Sequence, residues 1–79
     1  MRIEIRLQDV GDAEEIEVAE TFVSPGDRVE EGAPILEVAT DKANQEVWAP
    51  KAGTVVELLV AVGDIVDGDR LLAVLEVDG

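Results

Sequence analysis

The residue of this chain best placed for covalent chemistry is a central lysine, Lys42. The chain's 79 residues contain no cysteine and no histidine. Thiolates and disulfides are therefore excluded, as are the commonest general base and the commonest transition-metal ligand. Lys42 lies near the centre, within Thr40-Asp41-Lys42-Ala43-Asn44. The flanks, Ile35-Leu36-Glu37-Val38-Ala39 and Gln45-Glu46-Val47-Trp48-Ala49, read as strands. Asp and Asn side chains bond readily to nearby backbone and suit turns. The spacing thus predicts a hairpin with Lys42 on an exposed tip. An amine held there can be reached by a modifying enzyme, and rigid strands leave only the side chain to swing. Lysines on hairpin turns are ordinarily no more than solvated charge, so the motif gains weight only from its setting.

Other groups offer less. Asp67-Gly68-Asp69 has the start of a calcium loop but lacks the further spaced oxygen ligands of an EF-hand, so no metal site is expected. Glu14-Glu15 and Glu30-Glu31 read as surface charge rather than acid–base pairs, because general catalysis needs positioned, perturbed groups. Trp48, the one tryptophan, alternates with Val47, so one of the two should face outward. Trp48 either covers a sheet edge or contacts a partner near the lysine turn. Glu37, Asp41 and Glu46 read first as a solvated acidic face, with pairing to a basic partner as the alternative.

The elements that must hold Lys42 show a period of two. Ile3, Ile5 and Leu7 alternate with Arg2, Glu4 and Arg6; Ile16 and Val18 alternate with Glu15 and Glu17, with Phe22 continuing that face. Leu71, Ala73, Leu75 and Val77 form another face. Turn signals separate these runs: Asp9-Val10-Gly11-Asp12, Ser24-Pro25-Gly26-Asp27, Gly32-Ala33-Pro34, Ala52-Gly53 and Gly63-Asp64. Pro34 and Pro50 oppose helices in their neighbourhoods. The expectation is an all-β sandwich or barrel, one domain over residues 1–79 with a thin core.

An internal repeat is the second strong signal. Val18 to Asp27 matches Val55 to Asp64 at an offset of 37, continuing through Val29 and Val66. Beyond that the second half reads as one residue shorter, pairing Ile35-Leu36 and Val38 with Leu71-Leu72 and Val74 at an offset of 36. Each half alone would expose an apolar face. Two halves packed face to face would bury both, with quasi-two-fold symmetry.

Taken together, these residues resemble the biotinyl/lipoyl attachment domain family over nearly the whole chain. They comprise Gly26-Asp27-Arg28-Val29, Gly32, Ile35-Leu36-Glu37-Val38, Thr40-Asp41-Lys42-Ala43, Ala49-Pro50, Ala52-Gly53 and Gly63-Asp64-Ile65-Val66. The resemblance implies a flattened β-barrel of two four-stranded antiparallel sheets with the lysine on a β-turn. It also implies lipoic acid in amide linkage to Lys42. Its dithiolane would take up an acyl or aminomethyl group and be reoxidised by a flavoprotein. Thr40, Asp41, Ala43 and Gly26 are then the residues expected to govern modification. Asp9, Val10, Gly11, Asp12 and Trp48 are the candidate partner contacts. Biotin carriers of this fold usually present Met-Lys-Met, so Asp41 and Ala43 favour lipoate over biotin. Two departures stand out. Ala39 occupies the position, three before the lysine, where lipoyl domains usually have glutamate. The first surface loop, Gln8-Asp9-Val10-Gly11, lacks the proline often found there.

The expected function is a swinging-arm carrier of a 2-oxoacid dehydrogenase complex, itself non-catalytic. Its expected partners are a lipoate ligase or lipoyl transferase, and the dehydrogenase, acyltransferase and dihydrolipoamide dehydrogenase components. The alternatives are a biotin carboxyl carrier, an unmodified β-sandwich interaction module, or a glycine-cleavage-type carrier, which is usually longer. A net charge of -13 argues against nucleic acid as a partner. No run approaches the roughly 20 apolar residues of a membrane-spanning helix, and Met1 to Leu7 alternates with charge, unlike a secretory signal. The expected setting is a bacterial cytoplasm, or the mitochondrial matrix in a eukaryote.

Overall fold

A computed structural model describes residues 1–7, 15–41, 43–66 and 70–77. They form eight strands: β1 (Arg2–Arg6), β2 (Ile16–Thr21), β3 (Arg28–Val29), β4 (Pro34–Thr40), β5 (Asn44–Trp48), β6 (Gly53–Leu58), β7 (Ile65–Val66) and β8 (Leu71–Val77). Two antiparallel four-stranded sheets result, ordered β1-β8-β6-β3 and β5-β4-β2-β7. Alternating Val, Ile and Leu put one face of each sheet inward. The shared core includes Val18, Ile35, Leu36, Val38, Leu72 and Leu75, and no polar or charged side chain among the described residues is buried.

Quasi-two-fold symmetry is present, but the halves are not separate layers. Each sheet takes two strands from the first half of the chain and two from the second. The short strands make the exchange: β3 pairs with β6, and β7 with β2. Their turns repeat bond for bond. Gly26 N–H donates to Val55 O at 2.7 Å and Gly63 N–H to Val18 O at 2.8 Å. Asp27 Oδ2 accepts from Ser24 N–H, and Asp64 Oδ2 from Ala61 N–H, both at 2.8 Å.

The register corrects the expected shortening of the second half. β2–β4 pairs Val18 with Val38 and Thr21 with Leu36, while β6–β8 pairs Val55 with Leu75 and Leu58 with Ala73. Phe22 N–H donates to Ile35 O as Leu59 N–H donates to Leu72 O. The offset therefore stays at 37, and Ile35, Leu36 and Val38 match Leu72, Ala73 and Leu75. The similarity at 36 came from adjacent apolar residues: both Ile35 and Leu36, and both Leu72 and Ala73, are wholly buried. Irregularities between Pro34 and Leu36, and between Ile5 and Arg6, interrupt strict alternation there.

Phe22 also departs from expectation. A β-bulge between Val18 and Glu20 adds a residue and reverses the faces beyond it. Phe22 is left 40% exposed while Val23 packs against the core. The equivalent bulge between Val55 and Glu57 leaves Leu59 39% exposed and Val60 buried.

Candidate functional site

The β4–β5 hairpin closes through Thr40. Its hydroxyl donates to Ala43 O at 2.7 Å and accepts from Ala43 N–H at 3.0 Å, and its backbone N–H donates to the same carbonyl at 3.2 Å. One residue thus fixes both ends of a turn containing only Asp41 and Lys42 between the bonded positions. Asp41 and Ala43 are exposed. Lys42 lies outside the described residues, so its frame, not its side chain, defines the site. Thr40 does more than its turn propensity suggests, because its side chain duplicates the backbone closure.

Below the turn, on the outer face of the sheet, a row crosses all four strands. Ile65 pairs with Glu17, Glu17 with Ala39 and Ala39 with Asn44. Ala39 therefore has a carboxylate neighbour one strand away. Directly opposed Cβ atoms are about 5 Å apart, so a glutamate at position 39 would face Glu17 as a like charge. The next row sets Glu20, Glu37 and Glu46 side by side. Asn44 Nδ2–H donates to Glu37 Oε2 at 3.3 Å, and Trp48 Nε1–H donates to Glu46 Oε1 at 3.0 Å.

The structure joins Thr40, Asp41 and Ala43 into one turn. Gly26 is not part of it, since its loop is bonded to β6 in the other sheet. Trp48 is 61% exposed while Val47 is buried, so the outward partner of that pair is the tryptophan. It does not adjoin the turn. Trp48 pairs with Pro34, whereas Asn44 beside the turn pairs with Ala39. Four positions along β5, at about 3.3 Å each, separate these rows by roughly 13 Å. Asp9, Val10, Gly11 and Asp12 lie outside the described residues, as do Asp67, Gly68 and Asp69. Among the described residues no group of three or more acidic side chains is placed to hold a metal ion, and no helix is long and apolar enough to cross a membrane.

A groove of about 420 Å³ lies between the edge strands β1 and β5, with Ile5, Val38 and Val47 among the residues lining it. Its walls are symmetry mates: Arg6 and Glu4 on one side correspond to Trp48 and Glu46 on the other. Sequence reading did not find this groove, because it exists only where the edges of two sheets meet.

Comparison with known proteins agrees with this geometry. A Biotin_lipoyl family model, described as "Biotin-requiring enzyme", matches residues 3–75. The dihydrolipoyllysine-residue acetyltransferase component of the pyruvate dehydrogenase complex of Pseudomonas aeruginosa is 45% identical over 76 residues, covering 95% of this chain and 14% of that protein. The corresponding Haemophilus influenzae component is 42% identical over 79 residues, covering 100% of this chain and 14% of that protein. The chain thus spans a small part of the relatives it matches. Among solved structures, the lipoyl domain of the 2-oxoglutarate dehydrogenase complex from Azotobacter vinelandii aligns with a TM-score of 0.75 and 28% identity, covering 95% of this chain and 99% of that one. The Kluyveromyces lactis urea carboxylase aligns with a TM-score of 0.82 at 24% identity, covering 96% of this chain and 6% of that one, a likeness of fold.

Proposed function

This chain belongs to the biotin/lipoyl attachment family, and from that premise we propose that it is a lipoyl carrier domain, non-catalytic by itself, in which Lys42 bears the lipoyl group. The unit spans residues 1–79 and serves the acetyltransferase component of a pyruvate dehydrogenase complex, in the cytoplasm of a bacterial cell. The observation that carries the reading is the Thr40–Ala43 clamp, which closes a two-residue loop around Asp41 and Lys42 on an exposed hairpin end.

The residues present fit such a group. Asp41 and Ala43 are exposed on either side of Lys42, and neither is large enough to cover an amine between them. When bound, the lipoyl group supplies a dithiolane able to take up and release an acyl group. The chain's own part is mechanical. Thr40 keeps the loop short, and the β4–β5 ladder holds its base rigid. The long side chain would then serve as the tether, which keeps cargo at high effective concentration near each active site. A lipoate ligase or lipoyl transferase would load Lys42. The dehydrogenase, acyltransferase and dihydrolipoamide dehydrogenase components would then use it in turn.

Intact mass after incubation with a lipoate ligase, lipoate and ATP tests the reading. A single lipoyl adduct is expected on the wild type and none on Lys42→Arg, which keeps charge and fold. Persistence of the adduct in that variant removes Lys42 from the role. A biotin adduct formed with a biotin ligase points to a carboxyl carrier, and a folded protein unmodified under every condition points to an interaction module.

A further inference from the structure

The row beneath the lysine turn can be compared with its equivalent in the other sheet, because the two-fold relates them strand by strand. In the β1-β8-β6-β3 sheet that row is Arg2, Glu76, Thr54 and Arg28. In the lysine-bearing sheet it is Asn44, Ala39, Glu17 and Ile65. Each row carries one carboxylate, but on a different strand. Glu76 stands where the second row has Ala39, and Glu17 stands where the first has Thr54. The two carboxylates are also engaged differently. Glu76 lies 2.9 Å from the Met1 ammonium and 3.7 Å from the Arg2 guanidinium. Glu17 is exposed, and among the described residues its side chain has no hydrogen-bond or ion-pair partner. No lysine or arginine lies on the four strands of its sheet.

An enzyme that modifies one amine of this chain must choose between two lysines, Lys42 and Lys51. Lys51 is itself exposed, so access alone does not select. Selection needs a group held at a fixed place beside the right turn. Glu17 is such a group. The β2–β4 ladder holds it opposite Ala39, three residues before Lys42. Ala39 leaves the approach open, because a single methyl group covers little of the strand between the turn and the carboxylate. Position 39 is also where lipoyl domains usually carry glutamate. Opposed Cβ atoms on adjacent strands are about 5 Å apart, a shift that a long basic side chain can follow. The row therefore keeps its carboxylate beside the turn, moved one strand over. Glu37 and Glu20 lie a row further from the turn, and Glu37 is bonded to Asn44.

We propose that Glu17 is the carboxylate by which a lipoate ligase recognises the Lys42 turn, so that β2 supplies what position 39 of β4 lacks. This rests on the carrier reading. The contact is a charge-assisted bond from a lysine or arginine of the ligase, laid across Ala39. It orients the turn while the amide forms. Lys42 Nζ bonds to the lipoate carboxyl carbon as ATP is split to AMP and pyrophosphate; the carboxyl oxygen leaves on AMP, and a proton passes to solvent. Glu17 takes no part in that bond-making. It acts on recognition alone, so its effect falls on KM rather than kcat.

The test is the initial rate of lipoylation of this chain by a bacterial lipoate ligase with lipoate and ATP, followed by intact mass at varied carrier concentration. Glu17→Gln should lower kcat/KM by about tenfold or more, mostly through KM. Ala39→Glu added to that variant should restore it to within about threefold of the wild type, because it returns a carboxylate to the row. Glu20→Gln, on the same strand but a row further from the turn, should change it by less than about twofold. Raising salt should slow the wild type more than Glu17→Gln. All three positions are exposed or half-exposed, and a melt of each variant separates recognition from folding. An unchanged rate in Glu17→Gln, an equal loss in Glu20→Gln, or no recovery on adding Ala39→Glu overturns the proposal. The wild type decides the carrier reading separately. An adduct formed equally fast on the wild type and Glu17→Gln leaves the carrier standing and this role refuted, whereas a wild type that never gains an adduct removes the carrier reading itself.

Discussion

At the scale of single residues, Thr40 has the clearest structural duty. Its hydroxyl both donates to and accepts from the backbone of Ala43, so one side chain satisfies two groups of the turn. Thr40→Val keeps the shape and β-branching but removes both bonds. The expected loss of stability is about 0.5–1.5 kcal/mol, read by urea denaturation. The more specific readout is hydrogen exchange at the Ala43 amide, which should accelerate beyond what the global loss explains. Lipoylation of Lys42 should slow in the same variant, because the loop would no longer be held in one shape. Unchanged exchange at Ala43 would show that the backbone bond alone closes the turn. The spacing of Thr40-Asp41-Lys42-Ala43 made the turn legible in the sequence. The pairing of Ala39 with Glu17 was not, because residues 22 apart become neighbours only through the β2–β4 register.

At the scale of elements, the two Gly-Asp turns are one device used twice. Gly26 and Gly63 both have φ of +96°, and nothing lies within 4 Å of a Cβ built on either. Alanine at each position would meet backbone strain without a steric clash. Each substitution should therefore cost about 1–2 kcal/mol, and by symmetry the two costs should agree within a few tenths. Matched chevron or melting experiments on Gly26→Ala and Gly63→Ala check this. A large difference would show that the symmetry of the bonds is not a symmetry of energies. The repeat of these turns was plain in the sequence. What it did not reveal is the crossing of β3 and β7 into opposite sheets. A repeat specifies equivalent environments, and both a layered and an interleaved pairing would satisfy that condition.

For the whole molecule, charge dominates. At pH 7 the net charge is -13, from 19 acidic against 6 basic residues. Mutual repulsion opposes the compact state, so the melting temperature at neutral pH should rise with added sodium chloride as screening shortens to about 8 Å at 0.15 M. Glu76 acts in the opposite sense on the acid side. Its carboxylate accepts a hydrogen bond from the Met1 ammonium at 2.9 Å, which, with Arg2 nearby, holds its pKa below the usual carboxylate value. A depressed folded-state pKa contributes stability above the unfolded pKa, and that contribution is lost as pH falls through the folded value. Glu76→Gln should therefore be less stable at neutral pH and show a shallower acid-side decline, measured by melting temperature against pH. Identical profiles would mean that solvent screens the pair completely, as is common for exposed ion pairs.

The sequence by itself determined the fold class, the repeat and the lysine turn. Each depends on local periodicity, on turn chemistry or on a short motif, and all of these are written in consecutive residues. Ile5, Val18 and Leu75 could be assigned to the core because alternation in a strand fixes facing directly. Where a bulge inserted one residue, that logic failed, and Phe22 emerged on the surface while Val23 turned inward. Only the tertiary structure decided which strands share a sheet, that the offset stays at 37, and that Trp48 stands away from the turn. The contrast between the two outer faces was likewise invisible along the chain. Arg2, Arg6 and Arg28 do not oppose Asn44, Trp48 and Ile65 in any linear reading. They become equivalents only once antiparallel pairing has set the register, because register is a relation between distant segments and not a property of either one.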